Sequence, residues 1–201
     1  ILYFRSLIGF IITIMDIKEF AQQFQEGVRI AAEMAYSDYD QELAGAILEY
    51  LEDNGEVNVP QLCTFQKTRA RITAYDYNDE AESLDLFYLV KAETLLGKVN
   101  NSKVQQGFNY LTSFYRGAMN ETLLKSVDVQ KNDEITEVAK LVQSTKGKIN
   151  QLRLYVITDG LTDPTAVPEP VDYCCYCCGC ACFSCPDAAV AAQVPDRALS
   201  I

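Results

Sequence analysis

Two β-type segments in the middle of the chain constrain its fold more than any other feature. Residues 62–77 and 83–91 are rich in strand-forming residues, and the polar segment NDEAE separates them. Helical patterns flank the pair, and residues 152–158, LRLYVIT, form a third strand-like segment. We therefore expect a small sheet covered by helices.

Apolar residues at helical spacing predict two helices before the strand pair and two after it. The apolar face of the first helix consists of Phe20, Phe24, Val28 and Ala31. The residues expected to begin or end the helices are Asp16 for the first, Asn54 with Gly55 for the second, Asn101 or Ser102 for the third, and Asn132 or Asp133 for the fourth. The order α-α-β-β-α-α-β predicts an α/β (α+β) fold with a small central mixed sheet flanked by helices.

The length of 201 residues suits one domain with additional segments at its ends. We expect a single α/β domain over residues 15–162. Residues 1–14 are almost wholly apolar, and three interpretations are open for them. They are a cut-off membrane segment, a signal peptide, or upstream sequence that is not translated because the natural start is Met15.

Residues 163–201 differ from the rest of the chain. A proline-rich linker leads into seven cysteines between Cys174 and Cys185. This tail is a thiolate site for zinc or Cu(I), a palmitoylation site, a disordered segment or an artefact of the reading frame. Cys63 is the only cysteine before Cys174, so the domain shows no disulfide framework and we expect a cytoplasmic protein.

The composition excludes several kinds of chemistry. The chain has no histidine, which removes Ser-His-Asp and Cys-His catalysis and histidine-ligated zinc. Its formal net charge of -11 argues against general electrostatic binding of nucleic acid. Catalysis or metal binding must therefore use carboxylates, lysine, tyrosine or thiols.

Asp85 is the most informative candidate residue because it lies inside an apolar strand. An unpaired carboxylate buried there would cost several kcal/mol or change its pKa. Side-chain alternation places Asp85 on one strand face with Phe87, Leu89 and Lys91. With Glu42, from the start of the second helix, Asp85 forms a candidate catalytic pair for one Mg²⁺. The alternative is a carboxylate that points into water from an edge strand.

Three cations precede this aspartate. Lys67, Arg69 and Arg71 alternate along the first predicted strand and would share a face with Thr73. Such a face can contact a phosphate backbone, so these residues are candidate nucleic-acid contacts. The alternative is a solvated face that discourages pairing at the edge of the sheet.

The segments QELAGAILEYLEDNGEV, RARITAYDYNDEAESLDLFYLV and LRLYVITDG together resemble the N-terminal region of the abortive phage infection (AIPR) family of bacterial proteins. The similarity spans residues 18–160, and SLDLF after an acidic turn is its most specific part. The resemblance implies a restriction-endonuclease-like core and a role in defence against bacteriophage. It also implies a larger C-terminal domain, whose place here is taken by the cysteine-rich tail.

A nuclease of that fold needs an aspartate on one strand, and an acidic residue followed two positions later by lysine on the next. By this resemblance Asp85 matches the acidic residue, whereas Thr73 and Phe87 stand at the other two positions. Lys91 shares the face of Asp85 but lies roughly 13 Å along the strand.

We therefore expect a degraded nuclease-like fold that acts as a binding or scaffolding domain. Its expected partners are nucleic acid or protein in phage defence, with no membrane and no confirmed cofactor. The alternative is a Mg²⁺-dependent nuclease that acts on DNA or RNA.

Overall fold

The computed structural model of the protein describes residues 17–67, 69–162 and 188–192. Helices and strands alternate in blocks along these residues. The helices are α1 (Ile17–Ala35), α2 (Tyr39–Asp53), α3 (Asn101–Met119), α4 (Val127–Gln130) and α5 (Asp133–Ser144), and the strands are β1 (Gln61–Gln66), β2 (Arg71–Asn78), β3 (Ser83–Leu89), β4 (Gln151–Ile157) and β5 (Ala188–Ala192).

Some predicted features lie outside the described residues. They are the apolar segment 1–14, the helix cap at Asp16 and the cysteines from Cys174 to Cys185. Of the predicted tail beyond residue 162, the structure describes only the five residues of β5. Within the described residues, no helix has the length and apolar content that crossing a membrane requires.

The strands form one sheet in the spatial order β1-β2-β3-β4-β5. The pairs β1–β2 and β2–β3 are antiparallel, whereas β4 lies parallel to β3 and β5 lies parallel to β4. A mixed sheet flanked by helices confirms the predicted α/β class. The narrower assignment to a restriction-endonuclease-like fold stays a prediction.

The prediction of one strand over residues 62–77 was wrong, because the chain reverses in the middle of that segment. The Lys67 N–H donates to the Ala70 carbonyl at 3.0 Å and closes a turn between β1 and β2. No glycine, proline or asparagine marks this turn, so its sequence reads as a continuous strand. The observed order therefore has an extra strand before α3 and a short helix, α4, before α5.

Polar residues cap the helices at or close to the positions that the sequence predicts. The side chain of Asn132 accepts from the Ile135 N–H at 3.1 Å at the start of α5, as predicted. Asn54 ends α2, and Gly55 follows with φ of 71°, a backbone conformation that favours glycine. The cap of α3 is Asn100, one residue before the predicted position.

The two faces of the sheet are covered by different helices. On one face, α3 and α5 pack over Leu84, Leu86 and Leu154. On the other, α1 and α2 pack over Phe87 and Ile157. The residues of β3 therefore alternate between the two cores as predicted, which puts Asp85 on the α1–α2 side. In α1 itself Val28 is buried as expected, but Phe20 and Ala31 are exposed, and Ala21 and Ala32 take the inner positions.

Gly107 lets α3 approach the sheet closely. A Cβ atom at this position would lie 2.9 Å from Val156 Cγ2 and 3.1 Å from the Tyr88 ring. Both distances are shorter than ordinary van der Waals contact, and both neighbours are held in a packed core. Gly117, in the same helix, has its nearest such neighbour at 3.5 Å.

We expect Gly107→Ala to lower the free energy of unfolding by about 1–3 kcal/mol, because the added methyl overpacks the helix–sheet contact. Gly117→Ala is the matched control and should raise it by about 0.5–1 kcal/mol, since alanine favours the helix and has room. Urea denaturation of both variants measures the difference. A Gly107→Ala variant as stable as Gly117→Ala would contradict this packing.

Candidate functional site

A row of charged side chains crosses the middle of the sheet. Asp76 on β2 lies directly opposite Asp85 on β3, and Asp85 lies directly opposite Arg153 on β4. We call these three residues the polar row. The register places them on the face that α1 and α2 cover, beside the apolar row of Ala74, Phe87 and Tyr155.

Asp85 and Arg153 form a bidentate ion pair. Nε of Arg153 donates to Oδ1 of Asp85 at 2.6 Å, and Nη2 donates to Oδ2 at 2.5 Å. Asp85 is only 1% exposed, and the Arg153 side chain is 26% exposed. Arginine presents this fork geometry to a carboxylate better than lysine can, so the buried negative charge has a full partner.

Asp76 and Arg153 hold the loop between α2 and β1, residues 54–60, which we call the α2–β1 loop. Oδ2 of Asp76 accepts from the backbone N–H groups of Asn58 at 2.6 Å and Val59 at 3.3 Å. Nη1 of Arg153 donates to the Glu56 carbonyl at 3.4 Å. The polar row therefore anchors this loop at several backbone positions. The same contacts give these backbone N–H and C=O groups hydrogen-bond partners.

Burial dominates the titration of the polar row. It raises the pKa of Asp85 to about 6, although the hydrogen bonds and charge of Arg153 lower it, and the nearby Asp76 adds to the rise. Burial lowers the pKa of Arg153, but the hydrogen bonds and charge of Asp85 outweigh this and raise it overall. Burial also raises the pKa of Tyr155 to about 12, and Asp85 contributes to that rise.

Glu42 has a different environment from Asp85. It lies in the first turn of α2, and its Oε1 accepts from the Ser37 hydroxyl at 2.6 Å. Asp85 makes its contacts with Arg153, and the carboxylate opposite it in the sheet is Asp76. The pairing of Glu42 with Asp85 around a metal ion stays a prediction.

The three predicted phosphate contacts do not share one strand face, because the β1–β2 turn separates them. Lys67 lies in the turn, and its Nζ donates to Ser126 Oγ at 2.9 Å. Arg71 begins β2, donates to the Tyr88 hydroxyl at 3.3 Å and stacks 4.4 Å from the centre of the Tyr110 ring. Arg69 is exposed between them. Their role in binding nucleic acid stays a prediction.

Thr73 and Phe87 both have structural contacts. The Thr73 hydroxyl accepts from the Leu89 N–H at 3.0 Å, and the residue opposite Asp85 is Asp76 rather than Thr73. Phe87 is fully buried, and its ring stacks on Tyr155 with centroids 4.7 Å apart. The match of Thr73 and Phe87 to the two nuclease positions stays a prediction.

Sequence reasoning missed Asp76 and Arg153. Arg153 is the only charged residue in β4, as Asp85 is in β3. Two lone opposite charges inside apolar strands are a signal for a cross-strand ion pair, because each needs a partner once buried. Placing Asp76 beside Asp85 requires the register of the β2–β3 pair, and the turn residues alone do not determine that register.

A comparison with protein families identifies the family of this domain. The family model described as the abortive infection phage resistance protein N-terminal domain matches residues 43–172, more than half of the chain. The chain belongs to this family. No curated protein and no solved structure matches the chain.

Membership confirms the resemblance seen in the sequence. It indicates a phage-defence protein of the abortive infection type, in which this abortive infection domain is the N-terminal part. The whole polar row and α2–β1 loop lie within the matched residues, whereas α1 precedes them. The polar row is therefore a feature of the abortive infection domain itself.

The polar row of the abortive infection domain does not fit a Mg²⁺ ion. Both oxygens of Asp85 accept from Arg153, whose charge neutralises them, and an oxygen of Asp76 accepts two loop N–H groups. Mg²⁺ needs carboxylate oxygens arranged around it in near-octahedral geometry. Among residues 17–67 and 69–162, no group of three or more His, Cys, Asp and Glu side chains can hold a metal ion.

We expect Arg153→Met to lower the free energy of unfolding by about 2–4 kcal/mol, because Asp85 is then buried without a partner. The double variant Asp85→Leu, Arg153→Met should recover most of this loss, since it removes both charges. Lys91→Met, which removes an exposed ion pair with Asp40, should change stability by less than about 1 kcal/mol. Urea denaturation compares the three, and equal losses for Arg153→Met and Lys91→Met would contradict the buried pair.

The pH dependence of stability should carry the signature of Asp85. Its folded pKa of about 6 exceeds the ordinary value of 3.8, so between these values the folded chain binds a proton that the unfolded chain has released. The stability that Asp85 contributes is therefore full at the acidic end and is lost as the pH rises through 6.

The measurement is urea denaturation of the wild type and Asp85→Asn at about pH 4, 5, 6 and 7. The free energy of unfolding of the wild type, relative to Asp85→Asn, should fall with rising pH by on the order of 2 kcal/mol. A difference that rises with pH would mean that Arg153 outweighs burial at this carboxylate.

Proposed function

We propose that the chain is a non-catalytic binding or scaffolding domain of a phage-defence protein, built on a degraded restriction-endonuclease-like fold. The observation that carries this proposal is the ion pair of Asp85 with Arg153. The carboxylate expected to hold a metal ion in such a fold is bound and neutralised by the chain's own guanidinium. Antiparallel β1, β2 and β3, followed by helices and a parallel β4, support the ancestry.

The position of the expected catalytic lysine supports the same conclusion. Phe87 occupies it, and this ring is fully buried and stacked on Tyr155. Neither aromatic side chain carries a cation to stabilise the charge that develops on a phosphate during cleavage. The Tyr155 hydroxyl, whose pKa burial raises to about 12, stays protonated at neutral pH.

The polar row has a structural role that accounts for its residues. Asp76 and Arg153 bind backbone groups of the α2–β1 loop, and Val57 of that loop is buried in the core under α2. These contacts fix the loop against the sheet without any ligand. This structural role accounts for the charged residues of the row without a catalytic function.

One observation favours the alternative of a Mg²⁺-dependent nuclease. Asp76 lies directly opposite Asp85, so two carboxylates stand side by side on neighbouring strands. For metal binding, Arg153 would have to leave Asp85, and Glu42 would have to join it. Lys67, Arg69 and Arg71 would then contact the phosphates. Lys67 would have to leave Ser126, and Arg71 would have to leave the Tyr88 hydroxyl.

We expect the purified chain to leave plasmid DNA, single-stranded DNA and RNA intact with Mg²⁺ or Mn²⁺. We also expect no change in its melting temperature when Mg²⁺ is added, because Arg153 already neutralises Asp85. Gel electrophoresis and a thermal melt measure the two effects.

The decisive control is the double variant Asp85→Leu, Arg153→Met, which lacks the carboxylate but keeps the packing. In the complete defence protein, this variant should protect cells from phage as well as the wild type does, measured by efficiency of plating. Metal-dependent cleavage that the wild type performs and this folded variant lacks would establish the nuclease alternative instead.

A further inference from the structure

Helix α1 has a second apolar face that points away from the domain. Its inner face buries Ala21, Val28 and Ala32. Four exposed apolar residues form what we call the outer stripe, which consists of Phe20, Ile30, Ala31 and Met34. Phe20 is 37% exposed, Ile30 44% and Met34 78%. Large apolar side chains gathered on one exposed face are typical of an interaction surface.

The spacing of the outer stripe suits contact with another helix. Phe20, Gly27 and Met34 recur every seven residues, and Ile30 lies between the last two. These are a and d positions of a heptad, the positions that interdigitate when two helices pack along each other, with Gln23 at the remaining d position and a gap for a partner side chain at Gly27. Phe20 also stacks on the half-buried Phe24, with ring centroids 6.2 Å apart, so the start of the stripe is joined to the core.

An acidic flank runs along the outer stripe. Glu19, Glu26 and Glu33 each precede an a position and are exposed. Arg29 forms ion pairs with Glu26 at 2.6 Å and with Glu33, so one guanidinium offsets part of the charge. Three carboxylates against one cation leave this flank negative. Flanking charges of this kind select the partner of a helix by attraction or repulsion.

We propose that the outer stripe docks an amphipathic helix of another protein, with Lys or Arg along the flank of its apolar face. This assignment rests on the non-catalytic binding role proposed above and names its surface and partner. The apolar residues of α1 would supply the contact area, and Glu19, Glu26 and Glu33 would meet the partner's cations.

The charges disfavour the other occupants. A second copy of α1 in antiparallel packing would place Glu26 opposite Glu26, and an anionic membrane would repel the flank. The chain's own remaining segments are poor in cations, because residues 1–16 contain only Arg5 and residues 163–201 contain only Arg197. Helix α3, which carries Lys103 and Arg116 and no acidic residue, packs on the opposite face of the sheet.

The test uses the full 201-residue chain and two designed helical peptides. Both peptides have about three heptads with Leu at a and d, and they differ only in carrying Lys or Glu at the flanking positions. Fluorescence anisotropy should show binding of the Lys peptide, weakening with salt, and at least tenfold weaker binding of the Glu peptide, about one decade of affinity. Glu26→Lys with Glu33→Lys should reverse this preference.

Met34→Glu separates docking from simple charge attraction. It adds a negative charge, so it would strengthen unspecific binding of the Lys peptide, but we expect it to weaken binding about tenfold because it interrupts the stripe. Gln106→Glu adds the same charge to the exposed side of α3, on the opposite face of the sheet, and should leave binding unchanged. Circular dichroism confirms that both variants are folded.

Several outcomes overturn the proposal. They are equal binding of both peptides, no binding of either, dimerisation through α1 detected by light scattering, or binding of phosphatidylglycerol vesicles that Met34→Glu abolishes. Each can occur while the nuclease assays remain negative, so the docking surface and the non-catalytic role fail separately.

Discussion

The ion pair between Asp85 and Arg153 is the interaction on which the centre of the domain depends. It joins the antiparallel half of the sheet to the parallel strand β4, and through Arg153 it also reaches the α2–β1 loop. A lone charge in this position would oppose folding, whereas the forked pair makes it compatible with a core covered by α1 and α2. The same pair occupies both oxygens of the Asp85 carboxylate.

Local signals in the sequence were enough to predict most of the helices and strands. The alternation around Asp85 predicted which β3 residues face each core, and Asn132, Asn54 and Gly55 predicted helix ends, because these signals act within a few residues. The split between β1 and β2 was missed because Lys67 and Arg71 read as strand residues. The polar row was missed because its register depends on tertiary pairing, and Arg153 is far from Asp85 in the chain.

The residues that match the abortive infection family contain the polar row but not α1. Within the matched part, Arg153 is paired with Asp85, and Asp76 accepts backbone N–H groups of the α2–β1 loop. The exposed apolar residues of α1 lie outside that matched part. The proposed docking surface and the polar row therefore lie in separate parts of the chain.

The partners in the central ion pair are 68 residues apart in the chain. During synthesis on a ribosome, β3 therefore emerges well before the strand that neutralises its aspartate. Until β4 is available, the antiparallel hairpins can form, but burying the face that carries Asp85 is unfavourable because its charge has no partner. High contact order of this kind slows folding, so we expect closure of the core under α1 and α2 to follow the pairing of β4 with β3.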